Sequence, residues 1–322
     1  MLVSVAIVFS GQGHQHPAML PWLRHDAAIA AMAARLRVED WRAALADEAW
    51  AHANRHAQVL ITATAVSAWT QLRAALRIAS IEVDALAGYS VGELAACAAA
   101  GVFSPERAVS LAARRAALMD AAGSARRGGL CGVTGLGAAV VDELLRGSAV
   151  TVAIRNGEDS VVIGGPLGDA HAHGPEAVPP LDGSLDTVEA ALAERGARCT
   201  RLAVTVASHT PLMRTAAEAF AVELAGAAMD APALPVFDSD GNRSWTGEQA
   251  RDGLSRQIAA TVRWDAVMDQ LAAHAPSCVL EIGGGQALAR LWQRRHPSIP
   301  ARSADEFRTV DGVIAWIERC NT

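Results

Sequence analysis

The sequence predicts an α/β protein: a parallel sheet flanked by helices, with a smaller antiparallel unit inserted into the chain. Three observations predict it. Apolar runs at 3–9, 83–87 and 278–282 each lead into a glycine-bearing turn and then into helix-forming sequence, as strands buried in a parallel sheet do. Stretches rich in alanine, leucine and arginine lie between them. From 127 to 203 the pattern changes to short segments in the order βαββαβ, that of a ferredoxin-like unit. The 322 residues thus divide into a discontinuous large domain, 1–126 and 204–322, and a small domain, 127–203.

Composition excludes several classes of function. Hydrophobic residues make up 51%, enough for a substantial core, and the net charge of −6 comes with no basic block, which argues against a nucleic-acid partner. No apolar run approaches the ~20 residues that span a bilayer. The run Leu2 to Phe9 has no basic residue before it and enters Gly-Gln-Gly, so it reads as a strand and not a signal peptide. The cysteines, at 97, 131, 199, 278 and 320, are odd in number and never spaced C-x-x-C. That predicts reduced thiols, a cytoplasmic location and no zinc cage. All 28 basic residues are arginine. Without lysine there is no Schiff base, no phosphate-binding Walker lysine and no Ser-x-x-Lys acylase.

The first strand, Val3 to Phe9, ends in a loop, Ser10-Gly11-Gln12-Gly13-His14-Gln15-His16, with a helix expected from about Pro17. A dinucleotide fingerprint is broken here, because His16 stands where the third glycine belongs. His14 and His16 have no further ligand cluster, so no metal is expected. Residues 18–80 read as helical, with Trp22, Trp41, Trp50 and Trp69 as packing residues. The second strand, 84–88, runs into Gly88-Tyr89-Ser90-Val91-Gly92-Glu93. The flanking glycines suit a turn so tight that backbone from both sides comes together. Ser90 then stands at a helix N-terminus, either as a cap with Glu93 at capping-box spacing or as an exposed nucleophile. Ser104 and Pro105 start a helix to about Ala122, which carries Arg114, Arg115 and Met119. Adjacent arginines cannot share a helix face, so one can be solvated while the other points toward the serine.

In the small unit, strands are expected at 130–134, 150–155, 160–164 and 197–204, and helices at 138–146 and 184–195. Asn156 to Asp159 is a turn, and 166–183, with His171 and His173, a surface loop. A strand at 202–206 then leads to Ser208-His209-Thr210-Pro211, where a helix begins. His209 at such a junction is a cap, a surface residue or a general base. A short strand at 235–237, helices at 249–259 and 264–273, the strand 278–282 with Gly283 to Gly285 after it, and a helix at 308–319 complete the chain.

Five segments stand in order: 9–13 (FSGQG), 88–93 (GYSVGE), the helix bearing Arg115 and Met119, 208–213 (SHTPLM) and 281–285 (EIGGG). Together they resemble the malonyl-CoA:acyl-carrier-protein transacylase family over nearly the whole chain. The resemblance implies an α/β-hydrolase-like large domain and a ping-pong serine acyltransferase. Ser90 would be the nucleophile and His209 its base, oriented by the main-chain carbonyl of Gln257. Gln12 and Val91 would offer oxyanion N–H groups, and Arg115 would bind the malonyl carboxylate. Tyr89, Met119 and Asn156 would contact substrate or line its pocket. It further implies malonyl-CoA as substrate, no permanently bound cofactor, and an acyl carrier protein with a phosphopantetheine-type arm as acceptor.

Two positions depart from the family pattern. Tyr89, the only tyrosine, stands where a histidine usually precedes the nucleophile, and Ile154 replaces the first of two asparagines, leaving Asn156. The tyrosine variant is similar to the epsilon subunit of bacterial malonate decarboxylase, which implies the carrier subunit of that enzyme as acceptor and its other subunits as partners. The alternative is a malonyl transferase of fatty-acid or polyketide synthesis. Two other readings stay open: a serine hydrolase using Glu281 and His296, and a non-catalytic subunit that docks a carrier protein.

Overall fold

In the computed structural model, which describes residues 3–125, 127–168 and 183–320, the first strand β1 (Ser4–Phe9) lies inside a six-stranded sheet. Helices α1 (Ala27–Leu36), α2 (Trp41–Ala44), α3 (Glu48–His52) and α4 (Asn54–Ile78) follow, then β2 (Glu82–Gly88), α5 (Gly92–Ala99) and α6 (Pro105–Ala125). The second sheet is formed by β3 (Gly128–Thr134), β4 (Thr151–Arg155), β5 (Ser160–Pro166) and β6 (Arg198–Arg201), with helices α7 (Ala138–Leu144) and α8 (Leu185–Glu194). The chain then gives α9 (Arg214–Ala225), β7 (Val236–Phe237), β8 (Arg243–Ser244), α10 (Gly247–Arg256) and α11 (Trp264–Ala273). It closes with β9 (Cys278–Ile282), α12 (Ala287–Arg295), β10 (Ala301–Ser303) and α13 (Val310–Arg319).

The large sheet runs β10-β9-β1-β2-β7-β8, parallel except for the short antiparallel β8 at its edge. Alternation along β1 sorts its side chains between two cores. Val5, Ile7 and Phe9 join α1, α4, α5 and α6. Ala6 and Val8 join α11, α12 and the small sheet's Leu130, Ile154 and Val162. The antiparallel unit, in the order β4-β5-β3-β6, therefore packs against one face of the large sheet's layer. Two backbone hydrogen bonds stitch it on, Arg155 N–H to Val262 O and Val262 N–H to Ala153 O, both 2.9 Å.

Two expected elements are absent. No helix starts at Pro17: the chain turns there and α1 begins at Ala27, capped by the Asp26 side chain. The intervening loop is held by side chains instead, since Arg42 donates to the carbonyls of Pro17, Met19 and Leu20, and Asp305 accepts from the Leu20 amide. Nor is 202–206 a strand; β6 ends at Arg201 and the chain continues as bends and turns. The Leu202 amide still donates to Leu130 O on β3 at 3.0 Å, but the Val204 amide turns back onto Leu202 O at 2.8 Å, which ends the pairing. His171 and His173 lie outside the described residues.

The turn after β2 leaves no room for a side chain at either glycine. A Cβ on Gly92 would lie 2.3 Å from the Phe9 carbonyl oxygen, and one on Gly88 2.1 Å from the Gly92 carbonyl carbon. Gly92→Ala is expected to cost about 3 kcal/mol or more of stability, read from the denaturant midpoint. An unchanged midpoint would mean the two loops can move apart.

Candidate active site

β2, buried over its last four residues, delivers Tyr89 and Ser90 to the end of the sheet. The Tyr89 amide donates to Phe9 O at 2.9 Å, and Ser90 takes φ 55°, the left-handed backbone that side-chain-bearing residues rarely adopt. The capping box does not form. Ser90 Oγ lies 2.8 Å from His209 Nε2, and Glu93, in the first turn of α5, is buried.

His209 is not at a strand end. It sits on the irregular segment before a short 3-10 turn at Pro211–Met213, also with positive φ, 62°, and its amide donates to Ile258 O at 2.8 Å. Its Nδ1 lies 2.5 Å from the main-chain oxygen of Gln257. A carbonyl only accepts, so Nδ1 carries the proton and Nε2 is left to accept from Ser90. Burial, with Arg115 nearby, pushes the imidazole down to about 3 against the Gln257 hydrogen bond. His209 is therefore neutral, and able to take a proton, throughout the ordinary pH range.

Arg115 and Arg114 part as adjacent helical residues must. Arg114 is exposed and pairs with Glu223 at 3.1 Å, whereas Arg115 is buried and lines the same cavity as Ser90. Its guanidinium donates to Gln58 Oε1 at 2.7 Å and Gln257 Oε1 at 3.2 Å, while Nε has no partner. Burial lowers Arg115 to about 10, with Glu93 opposing, so the side chain stays charged.

Gln257 joins these groups. Besides its carbonyl on His209, its side-chain N–H donates to Ser90 O at 2.9 Å and to Glu93 Oε2 at 3.2 Å. Glu93 Oε2 also accepts from Ser239 at 2.5 Å. Burial pushes Glu93 up to about 8, against the Ser239 hydrogen bond, so at neutral pH it is mostly uncharged and leaves the Arg115 charge uncompensated. Gln58, Glu93 and the Gln257 side chain escaped the sequence reading. The available signal was Asn54 and Gln58, four apart among buried apolar residues of α4 and hydrogen-bonded to each other at 2.6 Å.

The Glu93 shift has a consequence for stability. A group whose folded pKa is raised contributes fully below its unfolded value, here 4.5, and loses that contribution as pH rises toward 8. His209 works the other way, contributing above 6.5 and losing it as pH falls toward 3. The two slopes offset each other between 4.5 and 6.5; above that the Glu93 loss continues, joined up to about 7 by that of Glu281, which burial also raises. The protein is expected to lose on the order of 1 kcal/mol per pH unit between 6.5 and 8. Glu93→Gln should flatten that fall in denaturant titrations, and an equally steep fall in the variant would assign it elsewhere.

Gln12 lines the cavity on the glycine loop, and Val91 follows Ser90. Among the described residues no protein acceptor takes either amide. Gly11 is pressed against the turn, a Cβ there lying 2.9 Å from Tyr89 O. Tyr89 donates to Asn156 Oδ1 at 3.1 Å and meets Trp264 edge-on at 5.3 Å. Met119 is buried at the cavity wall, its sulfur 3.4 Å from Gln58 Nε2. The cavity measures about 760 Å³.

Other sequence candidates lie apart from this cluster. His296 faces Asp269 at 3.1 Å, and Glu281 accepts from Ser10 Oγ and the Ala289 amide, so this pair does not complete a triad with Ser90. His16 is paired with Asp305 at 2.8 Å. Among the described residues no helix is long and apolar enough to cross a membrane.

Known proteins share this arrangement of chain. A family model described as an acyl transferase domain matches residues 6–297. The malonyl-CoA:acyl-carrier-protein transacylase of Escherichia coli K12 is 29% identical over 95% of this chain and 97% of its own length. The crystal structure of the corresponding transacylase of Xanthomonas oryzae superposes with a TM-score of 0.85 at 30% identity, covering 98% of this chain and 99% of its own. A malonyl-transacylase solved in complex with a type II polyketide synthase acyl-carrier protein gives 0.84 at 26% identity, covering 97% and 99%.

Proposed function

The chain belongs to the acyl transferase family, among its malonyl-CoA:acyl-carrier-protein transacylases, and from that premise we propose that it carries malonyl groups on Ser90. Ser90 Oγ attacks the thioester carbonyl of malonyl-CoA as His209 Nε2 takes its proton. The oxygen of the tetrahedral intermediate is received by the Gln12 and Val91 amides, donors of a kind each worth ~10²–10³ in rate. Collapse expels the coenzyme A sulfur, which takes the proton back from His209, and leaves a malonyl ester on Ser90. The thiol of a carrier-protein arm then repeats the sequence in reverse. Arg115, with a free Nε and a retained charge, receives the malonyl carboxylate. The observation that carries this reading is the relay from Ser90 Oγ to His209 Nε2 at 2.8 Å and from His209 Nδ1 to Gln257 O at 2.5 Å.

Mixing the protein with malonyl-CoA is expected to add one malonyl group by intact mass, mapped to the Ser90 peptide and absent in Ser90→Ala. No adduct on the unaltered protein would favour a docking subunit, and its immediate loss to water a hydrolase.

The acceptor we propose is the arm of a fatty-acid or polyketide type carrier protein. The relatives support it: one is a malonyl-CoA:acyl-carrier-protein transacylase and another was solved bound to a polyketide carrier. The malonate decarboxylase carrier rests on the Tyr89 variant alone. Transfer from malonyl-Ser90 to a fatty-acid carrier, with none to a decarboxylase carrier, is the expected result; the opposite preference would restore the decarboxylase reading.

A further inference from the structure

The cavity holding Ser90 has a charge bias opposite to that of the chain. Net charge is −6, yet the cavity is lined by four arginines, 115, 201, 290 and 294, against one carboxylate, Glu281. Glu281 is buried and already committed to Ser10 and the Ala289 amide. Arg201 is neutralised by Asp186 and Glu189. Arg115 serves the inner end. Arg290 and Arg294 remain. Both are exposed, and both lie on α12 one turn apart, on one face. Among the described residues neither side chain has an acidic partner or a hydrogen bond, whereas the adjacent Arg295 is paired with Asp269 at 2.6 Å.

Fold stability does not explain this pair. Like charges four apart on a helix repel by about 0.2–0.5 kcal/mol. Arg290 is also in the first turn of α12, at the positive end of the helix dipole, where a cation is unfavourable. His14, also on the cavity wall, brings no compensating charge: burial and Arg290 both push it down, toward the neutral form. The two guanidiniums face a cavity with no free carboxylate, at its solvent end, with the reacting serine further in.

We propose that Arg290 and Arg294 form a phosphate subsite, holding the phosphate at the far end of a pantetheine arm whose thioester lies at Ser90. This rests on the transferase reading above. A pantetheine arm is uncharged along its length, so that phosphate is the first charge away from the thioester. A planar guanidinium pairs with phosphate oxygens through two parallel hydrogen bonds. Coenzyme A and the prosthetic arm of a carrier protein have this phosphate in common, so one subsite serves donor and acceptor in turn.

The test is acylation of Ser90 in a single turnover, followed by intact mass, in the unaltered protein and in R290Q/R294Q. Three donors are compared: malonyl-CoA, malonyl-phosphopantetheine and malonyl-pantetheine. The second-order acylation constant is expected to fall about tenfold or more for both phosphate-bearing donors, and to stay unchanged for malonyl-pantetheine. An equal fall for all three, or no fall, overturns the subsite. So does a fall for malonyl-CoA alone, which would locate the contact on the nucleotide phosphates. A variant impaired only in discharge to the carrier would mean that the arginines read the carrier's surface carboxylates, and overturns it too. If the unaltered protein forms no ester from any donor, the transferase reading itself fails, and the subsite with it.

Discussion

With His209 replaced by alanine, malonyl transfer is expected to fall about 10³-fold or more. The serine hydroxyl is a weak nucleophile, and among the described residues the imidazole at 2.8 Å is the only base that meets it. No carboxylate backs the histidine; its other nitrogen is held by a main-chain carbonyl. The loss should appear equally in the rate of ester formation on Ser90 and in its discharge to a thiol, because the same nitrogen takes and returns the proton. His209 has a φ of 62°, where alanine is strained, so His209→Asn is the companion variant, since asparagine tolerates that backbone. Both should be inactive, and the asparagine variant should keep a near-native thermal midpoint. His296→Ala, which removes a partner of Asp269, should leave the rate unchanged. Retention of transfer by either His209 variant, or its loss in the His296 variant, would overturn the assignment of the base.

Arg115→Ala should lower the acylation constant for malonyl-CoA by about 10²-fold or more, the scale of two hydrogen bonds to a charged group. Acetyl-CoA, which brings no carboxylate, should hold its rate or gain. The gain has a physical source: Arg115 is one of the groups depressing the basicity of His209. Truncation also frees the oxygens of Gln58 and Gln257. Gln257 nevertheless keeps its bonds to Ser90 O and Glu93, so the carbonyl that holds His209 stays in position. The acyl preference, measured on one protein preparation with both donors, is the readout. An equal loss for the two would make Arg115 a structural residue.

The serine turn was legible because its constraint is local. Gly88 and Gly92 are needed where two backbones meet, and that need is written in spacing alone. His209 was legible only through the order of motifs. Its own neighbourhood misled, since the apolar run at 202–206 reads as a strand, whereas the Val204 amide bonds back to Leu202 O and the segment turns. β8 and β10, at two and three residues, are too short for any periodicity to register. The polar groups behind the site were hidden for a different reason. Gln58, Glu93 and Gln257 sit on or beside helices where a polar residue ordinarily signifies solvent. Only the fold reveals that they face one another, and Arg115, in the interior.

The position of β1 between β2 and β9 bears on biosynthesis. β1 must wait for β9, some 270 residues later in the chain, and the serine waits 119 residues for its imidazole. The histidine waits a further 48 for the oxygen that orients it. A nascent chain that has emerged only as far as α5 thus holds the Ser90 hydroxyl without the imidazole it meets in the fold, and the three groups can come together only after Gln257 has followed.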